Sequence, residues 1–415
     1  MTDPAGVLDA TVREQWGRLT SLLLGHYRRL DLVEDALGDA VEAAARHWPA
    51  RGVPDNPAAW LLTTARRRLV DQLRAESMAR RKGVLLVTDA ERRQESGRVM
   101  ADPGGVVDDD LLRLVMMCAH PALSREAASA LALRLVVGVS THDIARLFLV
   151  PETTMAARLT RAKKKVVTAG IPFAVPSVED LPDRLDAVAQ TAYLAFTAGY
   201  APGSGPDLLR AELAGSAISL VRVTLAQRPD EPVLLALLAL MLFQHSRRDA
   251  RLSEAGELVL LADQDRTRWH HDEIAEARSQ LDHSSLLRPM TATAAGYVLQ
   301  ARIAAEHALA PSAAETAWPR IVASYDLLLQ VTSSPATRLA RAVAVSEAEG
   351  AEAGLAALEG ISLPGSHRLP AVRAELLTRS GDGDGARSAY DEAIALCRND
   401  AERAYLVGRR DRTAG

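Results

Sequence analysis

The chain has 415 residues, 48% of them apolar and only 4% aromatic, so its cores are built from Leu, Ala and Val and suffice for two or three domains. Its net charge of −4 is unevenly spread: residues 1–170 hold 25 Lys+Arg against 21 Asp+Glu, and residues 171–415 hold 24 against 32, a basic front and acidic back that suit a nucleic-acid contact at one end only. Two distant cysteines, Cys118 and Cys397, exclude a disulfide scaffold and fit a reducing cytosol; the N-terminus has no signal-peptide pattern, and the longest apolar run, residues 233–243, is too short to cross a bilayer.

Long Ala/Leu/Arg/Glu stretches with almost no alternating β-branched runs predict an all-α fold. Residues 11–48 carry helical periodicity, first through Leu19, Leu22, Leu23, His26 and Leu30, then through Val33, Leu37, Val41, Ala44 and Trp48. The segment WPARGVPDNP, with Pro49, Pro54, Pro57 and Gly52, predicts a loop from Pro49 to Asn56. Asn56-Pro57 is a helix start, because Asn accepts free N–H groups and Pro suits the first turn. The helix that follows is expected to reach Met78, with Ala58, Leu62, Ala65, Leu69 and Leu73 on its apolar face and Arg66, Arg67, Arg68 and Arg74 among its charges. Residues 79–109 lose periodicity and read as a linker of about 30 residues, which at about 3.3 Å per residue reaches about 100 Å. Pattern resumes at Leu111 and breaks at Pro121; Ser124 caps a further helix ending at Gly138.

The stretch STHDIARLFLVPETTMAARLTRAKKKV, residues 140–166, has the punctuation of a helix-turn-helix. Ser140 and Asp143 have capping-box-like spacing, Pro151 fits the first turn of the second helix, and Met155, Leu159, Ala162 and Val166 fall on one face of it. The opposite side offers Thr154, Ala157, Arg158, Arg161 and Lys165, with Lys163–Lys165 placed for phosphate contact: one side packs and the other can reach base edges. After it, Pro172, Pro176 and Pro182 mark a connection, and the rest reads as helices between short loops. Ala386, Tyr390 and Ala393 have the small–aromatic–small spacing of a tetratricopeptide repeat, with Gly383–Gly385 as the preceding turn, and residues 336–348 and 351–358 resemble a degenerate copy. A generic helical bundle is the competing description. Asp263-Gln264-Asp265-Arg266-Thr267-Arg268-Trp269, beside the apolar LVLL, reads as an ion-pair network joining helices, with an exposed partner site as the alternative. Cys118 and His120 lack a second ligand pair, and no Walker A, GxGxxG or GxSxG motif is present, so no metal, no cofactor and no enzyme activity are expected.

Two segments in fixed order carry a resemblance. EDALGDAVEAAARHWP and NPAAWLLTTARRRLVDQLRAE resemble region 2, and residues 122–166 resemble region 4, of the extracytoplasmic-function sigma factors of bacterial RNA polymerase. CAHPALS, FLVPETTMAARL, GIPF-VP and LVLLADQDRTRW extend the likeness to the subgroup with a tetratricopeptide-like C-terminal extension (ECF42-type). The resemblance implies a region 2 domain at 8–78, a linker at 79–109, a region 4 helix-turn-helix domain at 110–170, a connector at 171–183 and a helical C-terminal domain at 184–410. It implies core polymerase as partner, through the β′ clamp helices and the β flap, with Glu34, Asp35 and Asp39 on the docking surface; Gly38-Asp39 departs from the family's usual Gln-Glu. It implies promoter DNA as a second partner, the −10 element met by Asn56, Trp60, Arg66, Arg67, Asp71 and Arg74 and the −35 element by Thr153, Thr154, Arg158, Arg161, Lys163 and Lys164. Trp60 has core packing as an equal alternative. Ala156-Ala157 stand where the family often has Lys and Ser, and the Asp108–Asp110 run stands where a linker mimics RNA or is simply solvated. The subgroup further implies regulation by the C-terminal domain, YCII-related (DGPF) proteins in the same pathway, no membrane, and a cytoplasmic, nucleoid-associated protein. A one-component helix-turn-helix regulator with a helical sensor domain is the alternative; it leaves residues 31–78 without a role.

Overall fold

The computed structural model describes residues 3–81, 105–200, 211–253 and 259–413. Every regular element among them is helical. They form two compact units, residues 1–194 and 195–415, and the division falls inside one helix.

The first unit opens with α1 (Pro4–Tyr27), α2 (Leu30–Arg51) and α3 (Pro57–Arg81) around one core of Trp16, Leu19, Leu23, Val33, Leu37, Trp48, Leu61, Ala65 and Leu69. The expected α3 face is rotated slightly: Leu61 is fully buried, while Leu62 and Leu73 only flank the core. Arg29, between α1 and α2, holds this bundle to α3 by pairing with Asp31 at 2.7 Å and Glu76 at 2.9 Å. The expected loop at Pro49 begins later, because α2 continues through Pro49 to Arg51. Proline removes its own N–H but leaves carbonyls free to accept, and the Gly52 N–H closes the last turn on the Trp48 carbonyl at 2.9 Å. Asn56 caps α3 as expected, its Oδ1 accepting the Ala59 N–H at 3.0 Å.

The next helix, α4 (Gly105–Cys118), begins before Leu111 and so takes in Asp108–Asp110, which the linker reading had left irregular. Asp110 is buried and pairs with Arg113 at 2.8 Å, with its carboxylate against Gly25 of α1, which places it in the packing of this unit and not on a solvated linker. The middle of the expected linker, residues 82–104, lies outside the described residues. Ser124 caps α5 (Arg125–Ala132), which widens into a π-helical turn, Leu133–Val137, and stops at Gly138. Then come α6 (Thr141–Leu147) and α7 (Glu152–Thr168), the expected helix-turn-helix. Helix α8 (Leu181–Tyr200) packs its first half on this unit: buried Ser129 donates to the Thr191 carbonyl at 2.7 Å, and Arg184 to the Met116 carbonyl at 3.4 Å.

The second unit is organised on α10 (Pro232–His245), which is buried nearly all round and packs among α9 (Ala211–Gln227), α11 (His271–Leu281) and α12 (Ala292–Leu309). A helix apolar on every side belongs at the centre of a bundle. Helices that each pack on the one before then follow: α13 (Trp318–Val331), α14 (Pro335–Glu349), α15 (Ala351–Ala357), α16 (Arg368–Ser380), α17 (Gly383–Leu396) and α18 (Asp400–Arg412). Ala386, Tyr390 and Ala393 are buried between α16 and α17. The turn before them sits earlier than expected, at Gly381, whose φ is 88°; Gly383 and Gly385 lie inside α17, with Asp382 as its cap accepting the Gly385 N–H at 2.9 Å. Arg266 does join elements, but by donating to the His307 and Ala310 carbonyls at the end of α12 (2.9 and 2.8 Å), not through an ion pair. An ion-pair cluster lies nearby, with Glu273 bound to His245 and Arg248, and His270 to Asp249.

Gly138 adopts φ 82°, and a Cβ there would sit 2.7 Å from the Trp16 ring; Gly170 has φ 61° with open space around it. Gly170→Ala is therefore expected to cost only the left-handed strain, about 1–2 kcal/mol. Gly138→Ala adds overpacking of about 1–3 kcal/mol. Urea unfolding of the two variants checks the order; equal losses would contradict the close approach at Trp16.

Candidate nucleic-acid interface

Helix α7 buries Met155, Leu159, Ala162 and Val166 against its own domain, all four of the expected residues. Ser140 caps α6, accepting the Asp143 N–H at 3.0 Å while its hydroxyl donates to the Asp143 carboxylate at 2.8 Å. Leu149, in the left-handed region at φ 54°, turns the chain between the two helices, and Pro151 sits at the cap position of α7, with the helix proper starting at Glu152. On the outer face Thr153, Thr154, Ala156, Ala157, Arg161, Lys164 and Lys165 are exposed and Arg158 is half-buried. Thr153, Thr154, Ala157, Thr160 and Arg161 line a shallow depression. This surface mixes small hydroxyls, methyl groups and guanidinium, the set able to meet base edges and phosphates in a groove.

On α3, Arg67, Asp71 and Arg74 are exposed, and Arg74 lies 3.9 Å from Asp71. Arg66 is half-buried, and its Nε has no hydrogen-bond partner among the described residues. Trp60 packs edge-on against Trp48, ring centroids 5.7 Å apart, at the margin of the core. Trp60 thus has the packing contact that was one of the two roles open to it.

The three acids of α2 separate. Asp35 is exposed and Asp39 half-buried. Glu34, expected on an open docking surface, is instead 8% exposed. Its Oε1 accepts from Arg134 Nε at 2.6 Å, and its Oε2 faces the Lys163 ammonium. The correction has a tertiary cause: Trp16 Nε1 donates to the Arg134 carbonyl at 3.0 Å, the Arg134 guanidinium lies over the Trp16 ring, and Gly17 lets α1 approach the Val136 carbonyl. The helix-turn-helix domain thus packs directly on the α1–α3 bundle, and Lys163, expected on DNA phosphate, is half-buried against Glu34. Arg134 is the partner that sequence reading missed; nothing in its local pattern distinguishes it from any helical arginine. Burial pushes the Glu34 carboxyl up, but Arg134 and Lys163 outweigh this and hold it below its ordinary value.

Among the described residues one trio has metal-ligand chemistry, His367, Cys397 and Glu402. Two of its groups pair with each other, His367 with Glu402 at 3.1 Å, and the buried Cys397 thiol faces the Asn399 carbonyl, while Arg403 donates to the Cys397 carbonyl. It reads as a junction of α16, α17 and α18.

Two segments of the first unit match known families. Residues 12–78 match the sigma-70 region 2 family and residues 113–166 match sigma-70 region 4. The chain carries regions 2 and 4 of the sigma-70 family. Its regions are those of a sigma factor, a DNA-binding transcription-initiation protein that works with RNA polymerase and promoter DNA. Residues 184–285 match a family of unknown function (DUF6596). The chain is 41% identical over 412 residues to an uncharacterized protein of Rhizobium meliloti (strain 1021), covering 98% of this chain and 95% of the relative. No solved structure matches it. No helix among the described residues is long and apolar enough to cross a membrane.

A carboxylate held below its ordinary value near 4.5 contributes stability at higher pH and loses it as pH falls through the lower, folded value. Glu34→Gln should therefore be less stable than the wild-type sigma factor at pH 7, and the gap should close as pH falls well below 4.5. Urea midpoints measured across that range check this; a gap independent of pH would show that the ion pairs are not its source.

Proposed function

We propose that this chain is an extracytoplasmic-function sigma factor of the ECF42 type, which binds core RNA polymerase and directs it to promoters by two contacts. In this reading Asp35 and Asp39, with Glu34, dock on the β′ clamp helices, and the region 4 domain meets the β flap. The Gly52–Asn56 loop and the Arg66, Arg67, Asp71 and Arg74 face of α3 take the −10 element, where a preformed loop offsets part of the cost of extracting a base. Thr153, Thr154, Arg158 and Arg161 take the −35 element, with Lys163 and Lys164 on phosphate. The observation that carries the reading is the outward face of α7: its four apolar residues are buried and its hydroxyls and guanidiniums are free of the core. Exposed methyls at Ala156 and Ala157 suit thymine more than a polar base edge.

The C-terminal helices regulate the sigma core in this reading, as a tetratricopeptide-like array built into the same chain. Ending the chain after Tyr200 keeps the half of α8 that packs on residues 105–194 and removes the second unit, so a change in promoter-specific output is expected; unchanged output in vitro and in cells would contradict regulation.

Reconstitution with bacterial core polymerase tests the main reading. The expected result is a stable complex and a runoff transcript from a cognate promoter. Arg158→Ala and Arg161→Ala should each weaken promoter binding by about 1–3 kcal/mol if they meet bases, and more uniformly across sequences if they meet phosphate. A chain that binds promoter duplex but never core polymerase would instead support the one-component regulator.

A further inference from the structure

Three helices of the second unit begin or end at one point, and each brings a metal-ligating group to it. His367 is the N-cap of α16, Cys397 follows the last residue of α17, and Glu402 lies in the first turn of α18. Their donor atoms, an imidazole nitrogen, a thiol sulfur and a carboxylate oxygen, all lie within 4.8 Å of one another. Asn399 fixes the group from both sides. Its side chain caps α18 by accepting the Glu402 N–H at 2.9 Å, and its carbonyl faces the Cys397 thiol at 3.4 Å. Arg403, a cation beside this turn, is engaged by the Cys397 carbonyl at 2.7 Å and by Asp400 at 3.2 Å.

The spacing suits a small tetrahedral ion. An ion about 2.0–2.3 Å from each donor holds its donors roughly 3.5 Å apart. His367 Nε2 and Glu402 are already 3.1 Å apart. The thiol alone has to close, by about 1 Å, which is within reach of a rotation about its one side-chain bond. Thiol and imidazole donors select zinc and its neighbours over magnesium or calcium, which take oxygen. Cys397 is 3% exposed, whereas the His367 and Glu402 side chains are 22% and 34% exposed. The sulfur is therefore the floor of the site, and an ion enters past the imidazole and the carboxylate. The rival description is a core thiol beside an ordinary ion pair.

We propose that His367, Cys397 and Glu402 form a binding site for a divalent metal of the zinc class, held by Nε2, Sγ and a carboxylate oxygen with a fourth position left to water. Loading forms three metal–ligand bonds and breaks the S–H bond of Cys397, whose proton passes to solvent; no electron moves. Burial, and then the Glu402 carboxylate, push the Cys397 thiol up, so it is the ion that draws this proton off. A bound metal ties α16, α17 and α18 at their common junction, so a loaded chain resists unfolding more than an empty one. The site lies in the second unit and does not depend on how the first unit reads promoters.

The test titrates the full chain, stripped with a chelator, with Co²⁺ as a coloured stand-in for zinc. The wild-type chain should develop a thiolate-to-cobalt charge-transfer band and the strong visible bands of a tetrahedral site, complete at one equivalent. Zn²⁺ should bleach both and Mg²⁺ neither. Cys397→Ser should abolish the charge-transfer band, and Cys118→Ala, which alters the other cysteine, should leave it intact. His367→Gln and Glu402→Gln should each weaken Co²⁺ binding about tenfold or more. Both stand on the exposed side of the site, so they decide the matter even where Cys397→Ser loses helicity by circular dichroism. Zn²⁺ should also raise the unfolding midpoint of the wild-type chain and not that of His367→Gln. A wild-type chain without the charge-transfer band, a band that survives Cys397→Ser, or affinity unchanged in both His367→Gln and Glu402→Gln would overturn the site and leave a core thiol beside an ion pair.

Discussion

One buried carboxylate sits at the contact between the α1–α3 bundle and the helix-turn-helix domain. Glu34 projects from α2 into a contact whose other side is supplied wholly by the helix-turn-helix domain, through Arg134 beside the Gly138 turn and Lys163 on the recognition helix. Around it the backbones come close because Gly17 and Gly138 have no side chains, and Trp16 closes the contact with a hydrogen bond and its ring face. Polar groups at the centre of an interface set its register more than its strength. Here they decide which surfaces of a sigma factor are open: Asp35, Arg67, Arg74 and the Thr153–Arg161 face look outward, while Glu34 and Lys163 do not.

The elements legible in the sequence were those whose cause is local. Asn56 before Pro57, Ser124, Ser140 and the four apolar positions of α7 each act within one or two turns, so their spacing alone places them. Local rules also set the limits. Proline at 49 suggests a stop, yet the helix keeps its remaining carbonyl bonds for one more turn. The acidic run 108–110 looks like solvated linker by composition, but Asp110 is drawn into α4 by Arg113 and by the gap above Gly25. Glycines 383 and 385 suggest a turn, whereas the left-handed residue is Gly381 and Asp382 caps a helix that contains the other two.

What the sequence could not disclose was long-range pairing. Arg134 lies 100 residues from Glu34, and both read as ordinary charges on helix faces. The same applies within the second unit, where Arg266 reaches the end of α12 at His307 and Ala310 and where Tyr390 donates to Glu375. There the polar groups beside LVLL turned out to stitch helices through carbonyls, a bond that charge counting does not foresee. The buried α10 was visible as an apolar run, and its length kept it from being read as a membrane span.

The central claim is that the outward face of α7 is a promoter-reading surface of a sigma factor. A structure of the full chain bound to core polymerase and a promoter measures this most directly. The account predicts that the Thr153–Arg161 face of α7 lies in the groove of the DNA in that complex, with the buried residues Met155, Leu159, Ala162 and Val166 turned away from it. A promoter-bound complex in which that face points away from the DNA would contradict it.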